Sequence, residues 1–268
     1  MIMKNTKVIP MSQNITEHIT SLESMKKYPK ALFYKGNLAL LNRPKVSIVG
    51  SRRLSNYTRE YTYQISRALA SRGVCVVSGA AMGVDTVAHE GAGAENTIAV
   101  VGNGLDIRYP AMNKNLIESI ENKGLMLSQF NDGFRATGWS FVVRNELVVA
   151  LGDILIVTEA DLGSGSMRSV EYALQMGKEI FVLPHRLGES HGTNSLLKEK
   201  KATLITDIED FVARFGNPVK SSVKKDDFFY FCQQLPSFDE TLEKFGERVY
   251  EAELEGIITI RNGIVRLN

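Results

Sequence analysis

From Val46 to Ile205 the chain keeps repeating one theme: a short run rich in Val, Ile and Leu ends in glycine or a small polar residue, and a segment of helical periodicity follows. The runs are Val46–Val49, Val74–Ser78, Thr97–Val101, Leu125–Ser128, Ile154–Val157, Ile180–Leu183 and Thr203–Ile205. Each is nearly continuous in apolar residues and lacks the polar alternation of a half-exposed strand, so each predicts a strand buried on both faces of a mostly parallel sheet. Helical spacing fits Tyr57–Arg72, Val84–Gly91, Asn113–Asn122, Trp139–Leu151, Met167–Met176, Thr193–Glu199 and Asp207–Phe215. The alternation predicts a doubly wound α/β fold, in which ligands bind beyond the carboxyl ends of the strands.

The flanks read differently. Residues 1–45 are polar and irregular, with one amphipathic helix expected over Ile15–Met25 and a short apolar segment at Ala31–Tyr34, together a lead-in packed on the core domain of 46–215. Residues 216–227 have linker composition, Gly, Asn, Pro, Ser and Lys with little hydrophobicity. Beyond them, Phe228–Leu235, Phe238–Phe245 and Glu247–Leu254 predict short helices. Ile257–Arg261 and Ile264–Leu267 flank Asn262-Gly263, the favoured two-residue turn of a hairpin. Three helices and a hairpin over 228–268 outline a small winged-helix domain. The net charge of +2 hides a split: residues 1–218 carry +4 and residues 219–268 carry −2. No apolar stretch approaches the length of a membrane span and the first residues, with Lys4, Asn5 and Lys7, lack a signal-peptide core, so a cytoplasmic protein is expected. Cys75 and Cys232 have no metal-pair spacing and read as reduced thiols.

Four strand ends carry glycine loops: Gly50-Ser51-Arg52-Arg53, Ser78-Gly79-Ala80-Ala81-Met82-Gly83-Val84-Asp85, Gly102-Asn103-Gly104 and Gly163-Ser164-Gly165-Ser166. Glycine lets backbone N–H groups approach an anion closely, and a helix N-terminus beside it favours negative charge, so phosphate is the guest such loops suit. The alternative for any one of them is a tight βα turn and nothing more. The first turn has no G-x-G-x-x-G and the second strand no acidic end, which argues against a nicotinamide dinucleotide; a Walker lysine is missing too. Arg52 and Arg53 instead offer planar donors for phosphate. Arg144-Asn145 offers another arginine, with a solvated helix charge as the alternative. Trp139 and Phe141 stand beside it, and aromatics interleaved with arginines suit single-stranded nucleic acid. Core packing is the alternative for both rings and the preferred one for Trp139. Catalytic groups are poorly arranged. His18, His89, His185 and His191 lack metal-ligand spacing, Asp85 reads as a helix-terminal residue rather than a base, Glu171 could face the glycine-loop site, and no serine sits in a nucleophile elbow. No cofactor, metal or catalytic step is expected.

Taken in order, Ile48-Val49-Gly50-Ser51-Arg52, Ser78-Gly79-x-Ala81-x-Gly83-Val84-Asp85, Gly104-Leu105-Asp106 with Tyr109-Pro110 and Asn113, Arg144-Asn145, Ser164-Gly165-Ser166 and Gly192-Thr193-Asn194 resemble the DprA/Smf family of DNA-processing proteins over about residues 28–210. The resemblance implies an extended Rossmann fold and a homodimeric cytoplasmic protein of natural transformation that protects incoming single-stranded DNA and loads the RecA recombinase. It implies that Arg52 grips phosphate, that Gly50, Ser51, Gly79, Gly83, Ser164, Gly165 and Ser166 line the anion pocket, and that Phe141 stacks a base, with Arg53, Asn103, Arg144 and Asn145 completing the DNA site. Two positions depart from the family pattern: the usual Arg-Asn-Arg reads Arg144-Asn145-Glu146, and Met82 stands where an arginine is common, with Arg53, Arg135 or Arg168 available to compensate. Two other classes compete. A nucleotide-processing enzyme like the LOG-type phosphoribohydrolases would use the loop at Gly163–Ser166 with Glu171, although that group's Pro-Gly-Gly-x-Gly-Thr signature is missing. A duplex-binding regulator would use the terminal domain, whose negative charge opposes it.

Overall fold

All seven apolar runs form strands within one residue of the expected ends. They are β3 (Lys45–Val49), β4 (Cys75–Ser78), β5 (Thr97–Val101), β6 (Leu125–Ser128), β7 (Ile154–Val157), β8 (Ile180–Val182) and β9 (Thr203–Leu204). The computed structural model describes residues 12–218, 227–254, 256–261 and 263–267, which fall into two compact units, Met1–Val219 and Lys220–Asn268.

In the first unit two further strands, β1 (Gln13–Asn14) and β2 (Phe33–Gly36), extend the sheet to the order β1-β2-β6-β5-β4-β3-β7-β8-β9. From β6 to β9 every pairing is parallel, with Val46 of β3 opposite Val76 of β4 on one side and Ile154 of β7 on the other. β2 runs antiparallel to β6, Phe33 facing Ser128, and β1 antiparallel to β2. The helix expected over Ile15–Met25 does not form. Its Thr- and Ser-rich sequence has low helix propensity, Ile15 N–H donates to the Leu32 carbonyl at 2.8 Å, and only Thr20–Ser24 coils, as one 3₁₀ turn that buries Leu22.

The crossover helices are α1 (Asn56–Ala70), α2 (Val84–Ala92), α3 (Lys114–Lys123), α4 (Gly138–Leu151), α5 (Gly165–Gln175), α6 (His191–Lys198) and α7 (Ile208–Val212). The strands' two-residue period sorts them into two layers. On β5, Ile98 and Val100 pack with Leu147 and Leu151 of α4, while Ala99 and Val101 pack with Ile117 and Ile120 of α3. Ile48 of β3 packs with Ile65 and Leu69 of α1 and Val84 of α2. Both faces of β3 to β8 are dry, which is why these runs carry no polar alternation; β9, expected to be buried as well, is exposed because it forms the edge of the sheet.

The strand order also fixes where a ligand can sit. From β3 the chain steps through β4 and β5 to β6 on one side, then returns to β7 and steps through β8 to β9 on the other. The connections leaving β3 and β7 therefore diverge and open a crevice past their carboxyl ends.

The second unit contains α8 (Asp227–Cys232), α9 (Phe238–Phe245), α10 (Arg248–Leu254) and a hairpin of β10 (Ile258–Arg261) and β11 (Ile264–Leu267). Phe228, Cys232, Val249, Ala252, Ile258 and Val265 form its own small core. Ser237 and Glu240 make a reciprocal capping box at the start of α9. Asn262 of the expected hairpin turn and residues 219–226 of the expected linker lie outside the described residues. Among the described residues no helix is long and apolar enough to cross a membrane.

Candidate nucleic-acid interface

The crevice between β3 and β7 is a cleft of about 530 Å³. On its β3 side, Ser51 N–H donates to the Glu159 carbonyl at 2.8 Å, and Ser51 Oγ accepts from Arg53 N–H at 3.0 Å. These bonds close the Gly50–Arg53 turn and leave the Arg52 side chain exposed at the mouth. Gly50 is required by contact: a Cβ there would come within 2.6 Å of Val84 Cγ2. The Glu159 carboxylate is spent on the start of α1, accepting from Ser55 N–H, Ser55 Oγ and Thr58 Oγ1 at 2.6–3.0 Å.

On the β7 side, α5 begins at Gly165 with its N-terminus directed to the cleft, and Ser166 Oγ donates to the Gly50 carbonyl at 2.8 Å. Ser164 and Ser169 line the same wall, and their hydroxyls are buried with no hydrogen-bond partner among the described residues. Unsatisfied hydroxyls at a helix N-terminus are groups that an incoming anion would satisfy.

The floor comes from α4. Arg144 is only 4% exposed, so it is no solvated helix charge. Its Nη1 donates to the Val100 carbonyl at 2.7 Å and to the Gly79 carbonyl, tying β5 and the β4 loop to α4. Asp85 stands in the first turn of α2, as its sequence position suggests, with Gly83 at the N-cap. The buried Asp85 carboxylate accepts from Ala81 N–H at 3.3 Å. Burial raises its pKa, and the Arg144 charge and local hydrogen bonds oppose that rise. Beneath them, burial together with the Arg144 charge lowers the pKa of His89 to about 3.

Phe141 stands on the first turn of α4, with the Arg52 guanidinium 5.7 Å from its ring centre, that of Arg144 at 5.8 Å and the Tyr109 ring at 6.1 Å. A smaller hollow between Arg52, Met82, Tyr109 and Phe141 adjoins the cleft. Among the described residues no carboxylate pairs with Arg52.

Of the residues singled out in the sequence, Gly50, Ser51, Arg52, Arg53, Gly79, Arg144, Asn145, Ser164, Gly165 and Ser166 meet in the cleft. Phe141 and Asn103 border the smaller hollow. The Asn103 side chain is turned inward, donating to the Gly104 and Ile107 carbonyls at 2.9 and 2.6 Å, so it braces its loop. Gly83 lines neither space and instead lets α2 approach Ser51 and Arg52 from behind. Glu171 is exposed and paired with Arg168 at 2.8 Å, away from the cleft; the acid on which a nucleotide-processing reaction would rely is not at the site, and Arg168 compensates for nothing there. Glu146 accepts from Lys26 N–H at 2.9 Å. Sequence reasoning missed Ser169, whose only signal was its position one helical turn after Ser166, and Asp161, an acid on the rim. Among the described residues no cluster of His, Cys, Asp and Glu could hold a metal ion.

The family model for DNA recombination-mediator protein A matches residues 8–216, the whole sheet-bearing unit. The chain belongs to that family. Its relatives include the DNA processing protein DprA of Streptococcus pneumoniae, 40% identical over 70% of this chain and 67% of that protein. Protein Smf of Escherichia coli is 35% identical over 83% of this chain and 62% of its own length, so the chain spans less than two thirds of that relative. Among solved structures, DNA processing protein A of Helicobacter pylori, described for its single-stranded DNA binding mode, superposes with a TM-score of 0.74 at 40% identity, covering 76% of this chain and 94% of that one. The extended Rossmann-like α/β core is shared with this relative, whereas the family match ends before the second unit begins.

Proposed function

We propose that the chain binds single-stranded DNA without a catalytic step. The Arg52 guanidinium and the glycine-loop amides grip phosphate, and Phe141 stacks a base. The observation that carries this is the exposed, carboxylate-free Arg52 held beside the Phe141 ring at the mouth of the β3–β7 cleft. A guanidinium supplies planar donors to any phosphate and an aromatic face accepts any base, so the pairing favours a flexible strand of arbitrary sequence. The binding described for the Helicobacter pylori relative supports the same ligand. Gly50, Ser51, Arg53, Gly79, Ser164, Gly165 and Ser166 complete the grip, with Gly83, Asn103, Arg144 and Asn145 holding its walls.

Membership in a recombination-mediator family supports the wider role: a cytoplasmic homodimer that protects incoming strands during natural transformation and hands them to the RecA recombinase. Two linked sites raise effective concentration along one strand. Residues 228–268 serve in this reading as a winged-helix-like domain joined by a linker at 216–227, and their negative charge suits protein contacts better than DNA.

The test is Arg52→Ala with labelled oligothymidine and a matched duplex at two salt concentrations. Single-strand affinity falls about ten-fold or more, and the salt slope drops by about 0.7 for each phosphate that is no longer neutralised. Unchanged affinity and slope would overturn the assignment.

A further inference from the structure

Trp139 is the chain's only tryptophan, and the core packing expected for it does not occur: it stands 65% exposed on the first turn of α4. The described ring that backs it is Phe130, met edge-on at 5.9 Å, which in turn lies flat on Phe134 at 4.4 Å. That backing is tightly tied. The Phe134 carbonyl accepts from Gly104 N–H at 2.8 Å, Gly133 N–H donates to Asp106 at 2.8 Å, and Phe130 N–H donates to Ser128 Oγ at 3.1 Å. An indole left in water on a fixed aromatic support gains little for the fold and is held ready for a planar ligand.

Its neighbours say which ligand. Two residues on, about 200° around the helix, Phe141 faces Arg52 and the cleft. Between the two rings the helix start is bare, since Gly138 has nothing within 4 Å of where a Cβ would stand. Arg135 is exposed and, among the described residues, without a carboxylate partner. Trp139 thus offers a second aromatic face on the far side of this turn from Phe141, with the exposed Arg135 four residues before it in the chain.

We infer that Trp139 is a second stacking platform for single-stranded DNA, taking a base of the segment that leaves the cleft across the first turn of α4. This rests on the proposed single-strand binding and lengthens its footprint. Because the chain has one tryptophan, its emission reports on this site alone. Oligothymidine at saturation is expected to quench the emission, while an oligomer of abasic sugar-phosphate units leaves it unchanged. Trp139→Ala is expected to weaken oligothymidine binding about ten-fold, with Trp139→Phe retaining most of the affinity. If labelled oligothymidine binds, yet emission stays constant, the abasic strand quenches equally, or Trp139→Ala binds as the parent does, the platform is refuted and the Arg52 grip stands. If labelled oligothymidine does not bind at all, the grip fails and the platform with it.

Discussion

Arg52 and Arg144 stand at opposite ends of the range an arginine can occupy within one site. Arg52 is exposed beside an aromatic ring, where removing it uncovers no buried group. Arg144 is sealed beneath the cleft and satisfies two carbonyls while facing the Asp85 charge. Removing its side chain leaves these buried carbonyls unsatisfied, which costs about 1–3 kcal/mol for each. Arg144→Ala is therefore expected to lower the denaturation midpoint strongly, with a free-energy loss of that order. Arg52→Ala stays within about 0.5 kcal/mol of the parent, as exposed substitutions do. Urea titrations of the two variants test the contrast, and equal stabilities would show that Arg144 braces nothing. Sequence spacing marked both arginines for the site but gave no way to tell them apart, because burial depends on what other segments place above a residue.

Among the elements, the β4 loop and α2 define the shape of the grip. Gly83 has φ of 87° and ψ of −129°, a conformation that costs side-chain-bearing residues about 1–3 kcal/mol. A Cβ at this position would also meet the Ser51 carbonyl and come within 2.6 Å of Arg52 Cα. Gly83→Ala is thus expected to lose about 2 kcal/mol of stability and, because the Arg52 turn must shift to admit the methyl group, to lose single-strand affinity as well. Measuring both by thermal melting and anisotropy decides the point: loss of stability with full affinity would place the strain in α2 alone. The glycine was visible in the sequence as the second of the loop's two glycines. Its left-handed backbone and its contact with a loop thirty residues earlier were not, because they follow from how β3 and β4 pair.

For the molecule as a whole, the buried His89 sets a limit on acid stability. Its Nε2 accepts from Ala80 N–H at 3.3 Å and its Nδ1 lies 3.3 Å from Thr97 Oγ1, an arrangement for the neutral ring with the proton on Nδ1. Burial first, then the Arg144 charge, lowers its pKa from 6.5 to about 3. A lowered folded pKa means that the unfolded chain takes up the proton first, so this group's contribution is complete above pH 6.5 and is lost as pH falls toward 3. At pH 5 the loss is about 2 kcal/mol, from 1.36 kcal/mol per unit. Denaturation midpoints at pH 7.5 and 5 check this. The parent is expected to lose about that much more than His89→Gln, and parallel losses would assign acid sensitivity to other groups.

The seven central strands, the helices between them and the glycine loops at their ends were legible from the sequence alone, because unbroken apolar runs, helical periodicity and glycine punctuation are local signals. The strands β1 and β2 were not: Phe33–Gly36 is extended because it pairs with β6, and Gln13–Asn14 because it pairs with β2. The same holds for individual side chains. Arg144 bonds a carbonyl 65 residues away and Ser166 one 116 residues away, while Trp139, apolar enough for any core, meets no layer that covers it. Periodicity states which residues need burial or a partner; only the assembled sheet decides whether distant segments arrive to supply it.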